Sequence, residues 1–133
     1  MRVLALDYGS ARCGCALSDS TGTIATPIET VENPTSRRGM AALRTLIETR
    51  EVQRVIVGLP LSLSGTETAQ TRETRSFAQR LESQLAGHVP VEMHDERFTT
   101  RMAERMDHAS SSEDSLAAAL LLESWLQKKP RSD

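Results

Sequence analysis

Residues 3–12 of this chain read VLALDYGSAR, an apolar run that ends in an acid and continues into a turn containing glycine. The uninterrupted apolar stretch from Val3 to Leu6 predicts a buried strand in the middle of a sheet. Asp7 ends that strand, and Gly9 permits a backbone path that a bulkier residue would resist. One interpretation of Asp7 is an ordinary turn former. The other is a metal ligand, because a carboxylate at the tip of a buried strand is well placed to bind a cation.

The pattern outward from this strand predicts a mixed order of strands and helices. In chain order, the predicted elements are a strand at 2–7, strands at 13–18 and 23–28, a helix that begins at Asn33-Pro34-Thr35-Ser36, a strand at 52–57, a long helix that stops at Gly87, a strand at 89–93, a helix capped by Thr99 or Thr100, a serine loop at 110–112 and a last helix from Glu113 to about Gln127. The short turns between the first three strands predict an antiparallel meander. The whole order predicts an α/β fold in which helices cover a mixed sheet.

Length and composition narrow the class of protein. The 133 residues predict a single domain, 1–133, with a frayed tail at about 128–133. No apolar segment approaches the roughly 18 residues that cross a bilayer, and no secretory pattern begins the chain, so we expect a cytoplasmic protein without a membrane partner. Cys13 and Cys15 are too few for a disulfide framework and are interpreted as small buried side chains. His88 and His94 show no spacing typical of a zinc site.

The charge balance excludes binding to nucleic acid through bulk positive charge. The net charge is −2, with 16 Lys and Arg against 18 Asp and Glu. A nucleic-acid site would therefore have to be local. The arginine-rich stretches that could form one are Arg37-Arg38, Arg72 with Arg75, and Arg97 with Arg101 and Arg105. The alternative for each stretch is a solvated helix face.

Asp114 is a second candidate ligand, although its position also suits a helix cap. It falls in the first turn of the predicted last helix, where the helix dipole and free N–H groups favour a carboxylate. Helical spacing places it on the same face as Ala117, Ala118, Leu121, Leu122 and Trp125. An acid that only capped the helix would not need to share the buried face.

A third acidic position follows the fifth predicted strand, at Asp95 and Glu96. If one of these acids binds a metal, the neighbouring Arg97 and the hydroxyls of Thr99 and Thr100 could hold phosphate. A capping turn is the alternative. Gly58, in the segment Gly58-Leu59-Pro60-Leu61, ends the fourth strand at the same edge as Asp7 and would let a backbone N–H approach a phosphate. That segment is not a Walker A loop.

Together these segments resemble the YqgF/RuvX family, bacterial nucleases of RNase H-like fold that are assigned to Holliday junction resolution or to processing of precursor 16S rRNA. The residues that carry the resemblance are Asp7-Tyr8-Gly9 with Arg12, Gly14 and Ser18-Asp19, then Val57-Gly58-Leu59-Pro60-Leu61 with Gly65, Asp95-Glu96-Arg97-Phe98-Thr99-Thr100, and Asp114-Ser115-Leu116-Ala117-Ala118. They cover essentially the whole chain in order. The resemblance implies a five-stranded mixed sheet of order 3-2-1-4-5, helices on both faces, and a carboxylate cluster that binds Mg²⁺ or Mn²⁺.

Carried over residue by residue, the resemblance implies catalytic, metal-binding roles for Asp7, Glu96 and Asp114, with Asp95 as the alternative to Glu96. The substrate-binding candidates are Gly9, Arg12, Gly58, Arg97, Thr99 and Thr100. In such a site the metals activate a water and stabilise the leaving oxygen, ideally as a pair about 3.5–4 Å apart. The chain departs from the family at Phe98, where Leu is usual, and at 107–112, which carries no Lys or Arg. The second departure puts substrate contacts from that loop in doubt.

The resulting hypotheses belong to three classes. The first is a metal-dependent endonuclease acting at the 5′ side of precursor 16S rRNA, with resolution of branched DNA as the same chemistry on another substrate. The second is a non-catalytic module that binds nucleic acid or the ribosomal particle. The third is a phosphotransferase. It is the least favoured, because the predicted single domain leaves no second domain to close over ATP. Monomer and homodimer both remain open.

Overall fold

The fold is described in a computed structural model for residues 1–61, 64–95 and 111–128. Its elements are β1 Val3–Asp7, β2 Arg12–Ser18, β3 Ala25–Glu32, α1 Arg37–Thr49, β4 Arg54–Leu59, α2 Ala69–Leu85, β5 Val91–Asp95 and α3 Ser111–Lys128. The strands form one sheet in the order β3-β2-β1-β4-β5. Strands β1, β2 and β3 pair antiparallel, whereas β1, β4 and β5 pair parallel. Both the order 3-2-1-4-5 and the antiparallel meander are confirmed.

β1 lies at the centre of the sheet and contributes to a hydrophobic core on each face. Leu4 and Leu6 belong to the core beneath α1 and α2, whereas Val3 and Ala5 belong to the core beneath α3. Alternation of side chains along an extended strand produces this division. The prediction of helices on both faces is therefore confirmed.

The apolar stripes of the helices pack as their spacing predicts. Met40, Leu43 and Ile47 of α1 are buried, and the side chain of Ser36 caps this helix by accepting a hydrogen bond from the N–H of Gly39. On the opposite face of the sheet, α3 buries the full stripe predicted to share a face with Asp114, namely Ala117, Ala118, Leu121, Leu122 and Trp125. This stripe fixes which side of α3 faces the sheet.

Two strands begin later than predicted because the first residues of each predicted strand belong to the preceding turn. The strand predicted at 23–28 is Ala25–Glu32, since the carboxylate of Asp19 accepts hydrogen bonds from the N–H groups of Thr23, at 2.7 Å, and Ile24, at 3.0 Å. The strand predicted at 52–57 is Arg54–Leu59, because the N–H of Val52 donates to Ile47 as α1 ends. These N–H groups close turns instead of joining the ladder.

The last strand and the last helix also differ from the predictions. The strand predicted at 89–93 is Val91–Asp95; the N–H of His88 donates to the carbonyl of Leu85 at the end of α2, and Pro90 has no N–H to donate to the sheet. The last helix begins at Ser111, so that Ser111 and Ser112 are helical instead of forming a loop. Packing of this helix on the sheet overrides the weak helix propensity of serine. The helix predicted after Thr99 or Thr100 lies outside the described residues.

Two buried cysteines lie near the centre of the sheet. Cys13 and Cys15 are free thiols in the core beneath α1 and α2, as predicted, and the register between β2 and β3 shifts between them.

No helix within 1–61, 64–95 and 111–128 has the length and apolar character to span a bilayer.

Candidate active site

The candidate site lies at the edge of the sheet where the three parallel strands end. Leu6 of β1 pairs with Val57 of β4, so Asp7 and Gly58 are level with each other at this edge. Gly58 in turn pairs with His94 of β5. Since carboxyl ends of parallel strands meet at one edge, the ends of β1, β4 and β5 form a common rim.

Glycine on the neighbouring strand lets α3 approach this rim closely. Asp7 alternates with Val3 and Ala5, so it belongs to the face of the sheet that α3 covers. Gly14 of β2 pairs directly with Asp7. A Cβ atom added to Gly14 would lie only 2.0 Å from the backbone oxygen of Asp114. The start of α3 therefore packs on the bare backbone of β2, which brings Asp114 next to Asp7.

The two carboxylates affect each other electrostatically. Burial and, to a smaller extent, the negative charge of Asp114 together raise the pKa of Asp7 from 3.8 to about 7. Loss of hydration and a like charge both disfavour the ionised form. A divalent cation between the two carboxylates would remove this repulsion, and carboxylate oxygens are the ligands that Mg²⁺ and Mn²⁺ prefer. The pair therefore fits two ligands of such an ion.

Arg12 forms an ion pair with Asp114. Its Nε donates a hydrogen bond to Oδ2 of Asp114, and the side chains of Arg12 and Asp114 are 36% and 20% exposed. In the sequence, Arg12 is a candidate for substrate binding, whereas Asp114 is a candidate metal ligand. The structure places the two side chains in direct contact, a link that the sequence did not predict.

The turn after Asp7 is held by contacts on the opposite face of the sheet. Gly9 is needed there because a Cβ would lie 2.7 Å from the backbone oxygen of Arg12. The hydroxyl of Tyr8 donates a 2.9 Å hydrogen bond to Glu73, and its ring stacks on Phe77 with centroids 4.6 Å apart. These contacts fix the turn to α2. The sequence does not predict this role of Tyr8, since its only signal there is an aromatic residue beside the candidate ligand.

Not every candidate falls beside Asp7. Strand alternation puts Asp95 on the face of β5 that carries Val91 and Met93, opposite the face of Asp7. The candidates Glu96, Arg97, Thr99 and Thr100 lie outside the described residues. Within the part of the chain that the structure describes, no group of three His, Cys, Asp or Glu side chains could hold a metal ion. Of the four acidic candidates, the structure thus brings Asp7 and Asp114 together.

His94 lies on the same face as Asp7, two strands away, and is tied to α3. Its Nε2 is 3.2 Å from the hydroxyl oxygen of Ser124. Burial lowers the pKa of His94, with a smaller contribution from the positive charge of Lys128. The imidazole is therefore neutral near pH 7 and has a structural partner.

A mixed sheet of this order, with carboxylates converging at the tip of its central strand, defines a nuclease of RNase H-like fold. T. thermophilus RuvC, solved in complex with a Holliday junction substrate, is similar in fold, with a TM-score of 0.62, 14% sequence identity and coverage of 95% of this chain and 94% of that one. The family model described as RuvX, Holliday junction resolvase, matches residues 1–128. The chain belongs to the RuvX family and is a hydrolase of phosphodiester bonds.

Relatives in the family cover nearly the whole chain. A Koribacter versatilis protein named "Putative pre-16S rRNA nuclease" is 40% identical over 96% of this chain and 88% of its own length. A Syntrophus aciditrophicus protein of the same name is 38% identical over 100% of this chain and 95% of its own length.

Proposed function

We propose that this protein is a divalent-metal-dependent endonuclease that cuts precursor 16S rRNA during maturation of its 5′ end. The observation that carries the proposal is the convergence of Asp7 and Asp114 at the end of β1, where burial and, to a smaller extent, the charge of Asp114 raise the pKa of Asp7 to about 7. The choice of substrate is supported by the two relatives, at 40% and 38% identity, that are named for pre-16S rRNA.

The proposed metal is Mg²⁺ or Mn²⁺, with Asp7, Asp114 and Glu96 as its protein ligands. When bound, the ion would supply Lewis acidity and an activated water for attack on a phosphodiester. Glu96 is preferred over Asp95 as the third ligand because alternation along β5 assigns Asp95 to the opposite face from Asp7. Asp7 must be ionised to bind the ion, and the ion would in turn favour that state.

The remaining candidates are proposed to position the substrate. Arg97, Thr99 and Thr100 would hold phosphate oxygens through a guanidinium fork and hydroxyl groups. Gly9 shapes the turn beside Asp7, where a side chain would collide with the backbone of Arg12. Gly58 is proposed as the position at which a backbone N–H would approach a phosphate, because it lies level with Asp7 at the ends of the strands.

Two other functions compete with this proposal. Resolution of branched DNA uses the same chemistry, and the matching family model is described as a Holliday junction resolvase. A module that only binds nucleic acid is disfavoured, because two adjacent carboxylates repel phosphate and would weaken binding. The cytoplasmic location, contact with the ribosomal particle and the choice between monomer and homodimer remain predictions.

The test is a cleavage assay on a labelled precursor 16S 5′-end RNA and, in parallel, a four-way DNA junction. Wild type, Asp7→Asn and Glu48→Gln are compared in Mg²⁺, in Mn²⁺ and in EDTA. Glu48 is exposed on α1, away from the site, so Glu48→Gln removes one acidic charge as a matched control. We expect metal-dependent cutting of the RNA that Asp7→Asn abolishes and Glu48→Gln retains. Cutting of the junction alone would replace the proposed substrate, and undiminished cutting by Asp7→Asn would contradict the proposed site.

A further inference from the structure

Arg12 is a positively charged residue that contacts the candidate metal site. It begins β2, and its Nε donates to Oδ2 of Asp114, which is 102 residues away in the chain. About a third of the Arg12 side chain remains exposed to solvent, at 36%. The guanidinium of Arg12 therefore contacts one carboxylate oxygen of the pair formed by Asp7 and Asp114, and it lies on the solvent side of that oxygen.

The neighbouring acid, Asp7, differs from Asp114 in this respect within the described part of the chain. Among the described residues, no side chain or backbone N–H donates a hydrogen bond to the carboxylate of Asp7, and its pKa is raised by burial and by Asp114. Arg12 thus compensates the negative charge of Asp114, whereas the ionised form of Asp7 remains unfavourable. A divalent cation bound by both acids would need the oxygens of Asp114, including the one that Arg12 contacts.

We propose that Arg12 is an internal cation that competes with the divalent metal for Asp114 and, once displaced, binds a phosphate of the nucleic-acid substrate. This inference rests on the proposed function, because it takes Asp7 and Asp114 as metal ligands. A guanidinium binds phosphate through parallel N–H groups at least as readily as it binds carboxylate. Arg12 directly follows the turn after Asp7, so the released side chain remains at the rim of the site.

The first test measures Mn²⁺ binding by calorimetry without nucleic acid, in wild type and in Arg12→Gln. Competition predicts that Arg12→Gln binds Mn²⁺ about two- to fivefold more tightly, the range expected for the loss of a partly exposed ion pair. If Arg12 instead holds Asp114 in position as a ligand, the substitution weakens Mn²⁺ binding. That result, or equal affinity, would overturn the inference.

Removal of a positive charge could also tighten metal binding from a distance, and two further variants separate that effect. In an Asp114→Asn background, competition predicts no gain from Arg12→Gln, because the contested oxygen carries no charge. Arg37→Gln, on the exposed start of α1, should leave Mn²⁺ affinity unchanged. A gain that persists without Asp114 would refute direct competition. Absence of Mn²⁺ binding in every variant, wild type included, would overturn the proposed function as well.

The displacement itself can be observed by NMR on a ¹⁵N-labelled protein. The Nε–H signal of Arg12, assigned by its loss in Arg12→Gln, should exchange slowly with water in EDTA because it donates to Asp114. Saturation with Mg²⁺ should shift this signal and speed its exchange. A signal that is unchanged when Mg²⁺ saturates the site would show that the ion pair persists and would contradict displacement.

The release of Arg12 toward phosphate predicts a metal-dependent salt effect. We would measure the anisotropy of a short RNA that stays uncut, over a range of salt concentrations. In Mg²⁺, Arg12→Gln should lower the magnitude of the log–log salt slope by about 0.7, the value for one contact to a single strand. In EDTA the two slopes should agree, since Arg12 is held by Asp114. Equal losses in both conditions would show that Arg12 reaches phosphate without leaving Asp114.

Discussion

The substitution Asp7→Asn should stabilise the folded protein while it removes a proposed ligand. The pKa of Asp7 is raised from 3.8 to about 7 in the folded chain. A raised pKa means that the folded state is favoured by protonation of Asp7. The contribution of Asp7 to the free energy of unfolding is fully present below the pKa of 3.8 that Asp7 has in the unfolded chain. This contribution is lost as the pH rises through about 7. At pH 8 wild type therefore carries the cost of an ionised buried acid, which Asn does not.

The size of this effect follows from the pKa. A difference of roughly three units corresponds to about 4 kcal/mol at pH 8, at about 1.4 kcal/mol per unit. An amide in the same place has its own desolvation cost, about 1–2 kcal/mol. The net gain is then about 2–3 kcal/mol, or a rise in Tm of roughly 5–10 °C for a chain of this length.

The assay is thermal unfolding in EDTA from pH 4 to pH 8, with Asp19→Asn as a control of opposite sign. EDTA is required because a bound metal would stabilise wild type through its binding energy. We expect Asp7→Asn to be less stable than wild type by about 1 kcal/mol near pH 4, where mainly the desolvation cost of the amide remains, and more stable by about 2–3 kcal/mol at pH 8. Hydrogen bonds from Ile24, Thr21 and Thr23 lower the pKa of Asp19, so Asp19→Asn should destabilise at pH 8. A lower Tm for Asp7→Asn at pH 8, or a difference independent of pH, would refute the reasoning.

Three further predictions concern the surroundings of this pair. Gly14→Ala should lower the free energy of unfolding in urea by about 1–3 kcal/mol and weaken Mn²⁺ binding, because the new Cβ would lie 2.0 Å from the backbone of Asp114. Unchanged Mn²⁺ affinity would show that this packing does not position Asp114. Tyr8→Phe removes the 2.9 Å hydrogen bond to Glu73 and keeps the ring stacking, so we expect a loss of about 0.5–1.5 kcal/mol by the same method, and no loss would mean that water replaces the bond without cost. The Mn²⁺ affinity of wild type should rise between pH 6 and pH 8, because metal binding needs ionised Asp7. The rise should reach about tenfold per pH unit below the pKa of Asp7. Calorimetry that finds the same affinity at every pH would exclude Asp7 from the ligands.

The elements that local patterning could identify are those with a strong apolar period and a clear terminal signal. The start of α1 at the Ser36 cap and its stripe of Met40, Leu43 and Ile47 are of this kind. The meander follows from two short turns. The full sheet order, in contrast, depends on parallel pairing between strands far apart in the chain, and only the resemblance to a family supplied it.

The features that could not be predicted depend on tertiary contacts. Thr23 and Ile24 have strand-like side chains, but the carboxylate of Asp19 captures their N–H groups. Ser111 is a poor helix former, yet it lies within α3. Within the candidate site, Asp7 and Asp114 could be identified from the sequence, whereas the contact of Arg12 with Asp114 could not, since it depends on how α3 packs against β2.

The ion pair between Arg12 and Asp114 joins positions that are 102 residues apart. Synthesis at about 5–20 residues per second would separate the appearance of these two residues by roughly 5–20 s. During that interval a nascent chain carries Asp7 and Arg12 but has no α3 to complete the pair of carboxylates. The protein is therefore expected to emerge from translation as an inactive nuclease, and to acquire its cutting site only when its final helix packs against the sheet.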